Sequence, residues 1–546
     1  MTLSPIFRLA VVASLALALL TTLTAAIPHA RSVDASELVR KQVPADPRGV
    51  TTIITPDGVT VRYKRPGADG GVCETTPGVN SYSGYVDVDE NTHMFFWFFE
   101  ARNRPDEAPL TLWLNGGPGS DSLVGLFAEL GPCNVSNLTT QLNPYSWNNE
   151  SNILFLSQPV GVGFSYQDEV IGTVNGSGLP ATSTQPDGRY GWADASHINT
   201  TKTAAIGVWA VLQALIQDLP IMDHTVQSRT FNLWTESYGG HWGPVFFSYF
   251  SDQNHAIQNG SSKGVALNMG SLGIINGMIS AKIQMPFYPE FAHNNSYGVG
   301  INETVYQYMK MSWDFPAVDR STPSGFAICA AASNFCSMYV ETPFYWSTGR
   351  DAYDIRKHPE DEDDFAELVE FLNLASTQDA IGVSLNYTTT DNSRVSTAFG
   401  STGDLVYPDM LADLVDLLSQ GVSVHLMYGD ADYICNWLGG EAVSLQVDYT
   451  HAQQFRSSGY TPFVVNGVEY GSTRQYSNFS FTRMYDSGHM VPRDQPGASL
   501  EYFRRVIHGL AVADGSQKIT DGYDTNGVAH ATHTNSMTSR TPYPTL

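Results

Sequence analysis

An apolar run from Phe231 to Trp234 breaks sharply into Glu236-Ser237-Tyr238-Gly239-Gly240, and a segment with helical spacing follows. A buried strand that turns straight into a helix through a serine and two glycines leaves few folds open. It is a variant of the G-x-S-x-G elbow, whose turn needs small neighbours and projects the serine hydroxyl from the edge of a sheet. Gly239 and Gly240 meet that need on one side, and Thr235 departs from it on the other. Neighbouring segments fit the same plan. Leu110 to Leu114 and Ile153 to Gln158 are short apolar runs ending in glycine-rich loops, and Val265 to Ile275 and Val422 to Tyr428 add two more. Such runs read as parallel strands buried on both faces. Tyr82 to Val88 and Met94 to Phe99 read as two strands joined by a turn at Asp89-Glu90-Asn91, and Lys202 to Asp218 as a helix. The expected fold class is α/β, a mixed and mostly parallel sheet flanked by helices.

With 546 residues, among them 26 Phe, 27 Tyr and 10 Trp, the chain can bury one large core and carry an insertion. Its 29 Lys and Arg stand against 54 Asp and Glu, a formal net charge of −25. A polyanion repels nucleic acid and anionic membrane, so neither is expected as a partner. Residues 1–26 read as a signal peptide: a basic start at Arg8, an apolar run from Leu9 to Leu20, and small residues from Thr21 to Ala26. The run is short for a membrane span. Ten Asn-x-Ser/Thr sequons follow, at Asn134, Asn137, Asn149, Asn175, Asn199, Asn259, Asn294, Asn302, Asn386 and Asn478. That density fits a glycosylated product exported to the cell exterior or to a vacuolar, lysosome-like compartment. Five cysteines leave an odd one. Cys329 with Cys336 could close a local loop and Cys73 with Cys133 a longer one, leaving Cys435 free; this is one pairing among several.

Residues 27–71 are polar, with dibasic pairs Arg40-Lys41 and Lys64-Arg65, and read as a propeptide or an extended N-terminal arm. The core is expected over 72–279 and 401–513, with a cap inserted at 280–400 over the active site. Residues 514–546 lack apolar periodicity and are expected to be disordered.

A hydrolase of this plan places its acid and histidine after the serine. Tyr428-Gly429-Asp430-Ala431-Asp432 follows an apolar strand, and Asp486-Ser487-Gly488-His489 precedes a final helix, about Gly497 to Leu510. Six blocks then appear in order: Trp113-Leu-Asn-Gly-Gly-Pro-Gly119, Phe127-Ala-Glu-Leu-Gly-Pro132, Gln158-Pro-Val-Gly-Val-Gly-Phe-Ser-Tyr166, Glu236-Ser-Tyr-Gly-Gly-His241, Gly429-Asp-Ala-Asp-Tyr-Ile-Cys-Asn-Trp437 and Gly488-His-Met-Val-Pro492. Together they resemble the serine carboxypeptidase family over about Cys73 to Leu510. The resemblance implies an α/β-hydrolase fold and an enzyme that removes single residues from peptide or protein C-termini. No cofactor is expected, and no metal either, since no His-rich spacing resembles a zinc site.

Matched motif by motif, the resemblance implies Ser237 as nucleophile, His489 as general base and then acid, and Asp432, rather than Asp430, as the residue orienting the imidazole. It implies an oxyanion hole from the N–H groups of Gly117 and Tyr238, and a receptor for the free α-carboxylate from Asn115, the Gly116 N–H, Glu129 and Glu236. Two carboxyls held close do not both ionise cheaply, so one keeps its proton and donates a hydrogen bond. Peptide hydrolysis is therefore expected to favour acidic pH. Met490 is implied to line the pocket for the released residue, and Cys435 to be an unpaired cysteine near the substrate. Three positions depart from the family pattern. Ser120 stands where the family usually has a cysteine, Asp121 replaces a small residue, and Thr235 replaces glycine. The alternative function is an acyltransferase, which passes the same acyl-enzyme to an alcohol instead of water.

Overall fold

The computed structural model describes residues 43–533, apart from 175–179, 184–185, 314–322, 362–364, 407–409 and 532. The expected signal peptide, the Arg40-Lys41 pair and Asn175 lie outside the described residues.

Twelve strands form one sheet. In chain order these are β1 (Thr51–Ile54), β2 (Thr60–Lys64), β3 (Ser81–Asp87), β4 (His93–Phe99) and β5 (Leu110–Leu114), then, past β6 (Cys133–Ser136) and β7 (Thr139–Leu142), β8 (Asn152–Leu156). After β9 (Asp168–Val174), β10 (Pro180–Thr182) and β11 (Gly188–Trp192) come β12 (Thr230–Glu236), β13 (Asn268–Ile275), β14 (Ser423–Gly429), β15 (Thr461–Val465), β16 (Val468–Tyr476) and β17 (Phe479–Met484). Their spatial order is β1-β2-β3-β4-β8-β5-β12-β13-β14-β17-β16-β15, with β6–β7 and β10-β9-β11 set apart as small sheets. From β8 to β17 every neighbouring pair is parallel, and the pairs outside are antiparallel. This is the doubly covered, mostly parallel sheet that the apolar runs implied, in the α/β-hydrolase arrangement that the resemblance implied.

Alternation explains why those runs are largely apolar on both faces. Phe96 and Phe98 of β4, with Leu112 and Leu114 of β5, enter one core, while Phe95, Trp97, Phe99 and Trp113 enter the core on the opposite face. Helices Thr201–Met222 and Gly239–Gln258 pack on the first face; Pro496–Ile507 packs on the second through Tyr502 and Phe503. Between β13 and β14 the insertion folds as short helices with its own small core, in which Phe291, Val340 and Phe344 surround Tyr433.

Three expectations change. The segment expected as arm or propeptide joins the sheet from residue 51, because β2 pairs antiparallel with β3. The tail is ordered at least to residue 531. Its backbone pairs with the sheet through Tyr460 with Val528 and Tyr476 with Asp524, and Ala531 is buried with its carbonyl accepting from Arg483 Nη1 at 2.7 Å. Backbone pairing needs no apolar periodicity, which is why composition pointed to disorder. The bridge between Cys329 and Cys336 does not form: Cys336 is a buried free thiol. Both residues lie on helix Pro323–Cys336, where seven residues rise about 10.5 Å, beyond the reach of a disulfide. The side chain of Cys329 lies outside the described residues. Cys73 and Cys133 are bonded across 60 residues, a loop whose closure is worth about 4 kcal/mol.

A buried carboxyl pair lies far from the loops described below. Glu100 follows β4, and Asp223 ends helix Thr201–Met222; both are buried. Burial, then the hydrogen bond and charge of Asp223, push Glu100 up to about 7. The native state therefore holds a proton that the unfolded chain has released, so this pair's contribution to stability is fully present below the ordinary carboxylate range and is lost as pH rises through about 7. Thermal melts should show a lower Tm at pH 8 than at pH 5, and Asp223→Asn should flatten that difference.

Candidate active site

Five loops meet at the carboxyl ends of β5, β12, β13, β14 and β17, where open α/β sheets form their crevice. Ser237 follows β12 directly, in a left-handed conformation at φ +64° that is unusual for a residue with a side chain. The strain is held in place by three backbone bonds. Its N–H donates to Ile275 O at 3.0 Å, and its carbonyl accepts from Gly240 and Met278, each at 2.9 Å. Helix Gly239–Gln258 then begins at once. Thr235 fits because residue 239 is glycine: a Cβ there would stand 2.5 Å from the Thr235 Cβ. Thr235 Oγ1 also donates to Gly239 O at 2.8 Å and braces the turn that it departs from in sequence.

His489 Nδ1 lies 2.7 Å from Asp432 Oδ2, and both residues are buried. Asn276 Nδ2 donates to the same oxygen at 2.7 Å, while its own Oδ1 accepts from Gly429 N at 2.9 Å. The pairing places the proton on Nδ1 and leaves Nε2 as the basic nitrogen. The His489 N–H donates to Tyr353 O at 2.8 Å, and the Tyr353 ring stands edge-on to the imidazole at 5.0 Å. Sequence reasoning singled out neither Asn276 nor Tyr353. Asn276-Gly277 at the end of β13 is a turn signal that could have been read, whereas Tyr353 sits in the insertion, where no pattern marks it. Asp430 turns away into a buried ion pair with Arg483 at 3.0 Å and accepts from the Tyr297 hydroxyl, a structural role.

Gly116 and Gly117 follow β5. A Cβ at 116 would lie 2.4 Å from Tyr238 N and 2.7 Å from Ser237 Cβ, so the loop packs backbone to backbone on the elbow. Gly117 has φ +101° and is exposed. Glycine at 117 serves the loop's own turn, since a Cβ there would meet Gly119 N at 2.5 Å; close approach to the elbow is the demand at 116. Neither the Gly117 N–H nor the Tyr238 N–H has an acceptor among the described residues.

Asn115 Oδ1 accepts from Trp113 Nε1 at 2.8 Å and from Gly125 N at 3.0 Å, which fixes the amide orientation. Nδ2 then faces two buried carboxyls, Glu129 Oε1 at 3.0 Å and Glu236 Oε1 at 3.1 Å. Burial lifts both acids, and the charge of Glu129 raises Glu236 well above the usual carboxylate range. Two carboxyls held this close do not both ionise cheaply, so the pair keeps a proton between them. The second oxygen of each carboxyl has no partner among the described residues.

Cys435 is buried, and desolvation, then the charge of Asp432, pushes its thiol well above the ordinary range. Asp432, Cys435 and His489 bring possible ligand atoms within 4.8 Å of one another, and the carboxylate and imidazole of this group are bonded to each other. Met490, half-buried, caps the short helix Val491–Asp494 beside His489.

Comparison with known proteins gives the family. A sequence model described as serine carboxypeptidase matches residues 70–509. Carboxypeptidase S1 of Penicillium janthinellum is 40% identical over 446 residues, covering 80% of this chain and 97% of its own. Carboxypeptidase S1 homolog B of Arthroderma otae is 37% identical over 537 residues, 88% of this chain and 81% of that one. The crystal structure of a prohormone-processing carboxypeptidase from Saccharomyces cerevisiae superposes with a TM-score of 0.62 at 20% identity, covering 84% of this chain and 98% of that one, a likeness of fold. A serine on a strained elbow, an Asp–His pair, and a family match across most of the chain lead to one conclusion: the chain belongs to the serine carboxypeptidase family and is a serine-type carboxypeptidase.

Proposed function

We propose that Ser237, His489 and Asp432 carry the reaction on peptides with a free C-terminal carboxylate, and that the enzyme works at acidic pH in an exported compartment. The observation that carries this reading is the buried Glu129–Asn115–Glu236 cluster, one residue in sequence from Ser237 and Gly116. An esterase or endopeptidase needs no such receptor. A protonated carboxyl there donates to the substrate carboxylate, helped by the Gly116 N–H, and so places the last peptide bond over Ser237.

His489 Nε2 takes the Ser237 proton as Oγ attacks the carbonyl carbon. The developing oxyanion accepts from Gly117 N–H and Tyr238 N–H, whose lack of other acceptors supports this role. The imidazolium, stabilised by Asp432, gives its proton to the leaving amine, and the C-terminal residue departs. Water, deprotonated by His489, then opens the acyl-enzyme. Met490 and Cys435 stand beside this path as pocket residues. Export is supported by the leader, by the Cys73–Cys133 disulfide, and by sequons at exposed Asn137, Asn259, Asn294 and Asn302. Asn134, Asn149, Asn199, Asn386 and Asn478 are half-buried, and Asn149, Asn199 and Asn478 commit their amides to main-chain carbonyls at 2.9, 2.9 and 2.8 Å, which makes these three the poorer glycan acceptors. Among the described residues no helix is long and apolar enough to cross a membrane.

Incubation at pH 5 with a peptide of about ten residues tests the reading. Single residues should appear in order from the free C-terminus, and the same peptide bearing a C-terminal amide should stay almost intact. Internal cleavage, or equal attack on the amide, would refute it. Silence on both peptides, with Ser237 still labelled by a fluorophosphonate, would favour the acyltransferase.

A further inference from the structure

The loop that carries Gly116 and Gly117 is gripped from outside by one short piece of the insertion, residues 387–392. Asp121 N–H donates to Thr390 O at 2.8 Å, and Asn392 N–H donates to Gly119 O at 2.9 Å. Between them Ser120 and Asp391 form an antiparallel bridge, with the Ser120 hydroxyl donating to Asp391 Oδ1. Asp121 beside this ladder is fully buried. Its Oδ1 accepts from Ser157 Oγ at 2.7 Å and from Leu123 N at 3.4 Å, and its Oδ2 accepts from the Tyr387 hydroxyl at 2.8 Å. One carboxyl thus ties together the loop after β5, the loop after β8 and the insertion. Gly163 makes room for it, since a Cβ there would stand 2.2 Å from Asp121 Oδ2. Burial pushes its pKa up to about 6 against the pull of Ser157 and Tyr387. A core position filled at such cost calls for a reason beyond packing.

We propose that Asp121 is a positioning residue for catalysis: with Tyr387 and the Ser120–Asp391 pair it clasps the insertion to the loop and fixes the Gly117 N–H against the Tyr238 N–H. The inference rests on reading those two amides as the oxyanion hole. The clasp does without a covalent tie what a cysteine at 120 would do with one, and a covalent tie should therefore substitute for it. Residues paired across an antiparallel bridge have Cα atoms about 4.5–5.5 Å apart, within disulfide reach.

The test uses the full chain and a p-nitrophenyl ester of a blocked amino acid, which has no free carboxylate and so leaves the Glu129–Glu236 receptor out of the readout. Asp121→Ala should lower kcat about 10²-fold, the cost of a catalytic group displaced by about an ångström, with KM changing far less. Adding S120C and D391C under oxidising conditions should restore most of the lost kcat, and reductant should remove the gain, judged against wild type in the same reductant. If Asp121→Ala does not fold, Tyr387→Phe carries the same test from a smaller loss of about tenfold. Full kcat in the single variants, failure of the disulfide to form, or a formed disulfide without rescue would each overturn the clasp. Hydrogen exchange at residues 116–121 should quicken in the single variants and slow again when cross-linked. That readout needs no catalysis, so it separates failure of the clasp from failure of the oxyanion-hole reading.

Discussion

Ser237→Ala should leave a folded protein whose kcat on any peptide is lower by on the order of 10⁶-fold. The hydroxyl is the only group the substitution removes, because the elbow is held by main-chain bonds from Ile275, Gly240 and Met278. The left-handed φ is disfavoured for serine and alanine alike, so stability should change little. Binding of a product peptide should also survive, since the Glu129–Asn115–Glu236 cluster does not involve Oγ. Steady-state kinetics beside a thermal melt checks this. A variant with a tenth of the wild-type rate would mean that another nucleophile acts.

Asp432→Asn is the second large effect, about 10⁴-fold in kcat. Asp432 Oδ2 accepts both from His489 Nδ1 and from Asn276 Nδ2. An amide oxygen accepts more weakly than a carboxylate, so the Nδ1 proton is held less firmly and the imidazole tautomer with its proton on Nε2 and its lone pair facing the wrong way gains population. It also removes the charge that stabilises the imidazolium. The loss should fall on kcat, with KM little changed, and fluorophosphonate labelling of Ser237 should slow in parallel. Equal loss in Asp430→Asn would contradict the assignment, because Asp430 is spent on Arg483 and Tyr297.

What the sequence made legible follows from burial. Strands β5, β8, β12, β13 and β14 are covered on both faces, so they are largely apolar and lead into the glycines that the site requires. The elbow, the acid and the histidine stand at those ends in chain order. Strands β1 and β2 and the β15–β17 ribbon were missed because they lie at or near the sheet's edges, where polar residues alternate with apolar ones and turns such as Asn466-Gly467 interrupt them. Residues 514–531 were misjudged because they dock through backbone groups and small side chains such as Thr525 and Ala531. Asp121 stood out in the sequence only as a departure from the family pattern. Its partners Ser157 and Tyr387 lie 36 and 266 residues away, and only folding brings them to it. The Cys329–Cys336 pairing failed for a local reason, the rise of the helix that contains both.

The central claim is that a proton shared by Glu129 and Glu236 receives the substrate's carboxylate. The sign follows from the raised pKa of Glu236. Below that value the pair keeps its shared proton and donates, while a peptide α-carboxylate is already ionised above about 3.5; as pH rises through the raised value, the pair loses that proton, becomes a dianion and repels. The most direct measurement is kcat/KM for a blocked dipeptide and for its C-terminal amide, from pH 4 to 8. The free acid should be favoured about 10²-fold at pH 5, as expected when a charge-assisted hydrogen bond forms in a buried site, and the advantage should shrink steadily toward pH 8 while the amide shows no matching decline. A preference for the free acid that stayed constant across the range, or no preference at any pH, would contradict the account.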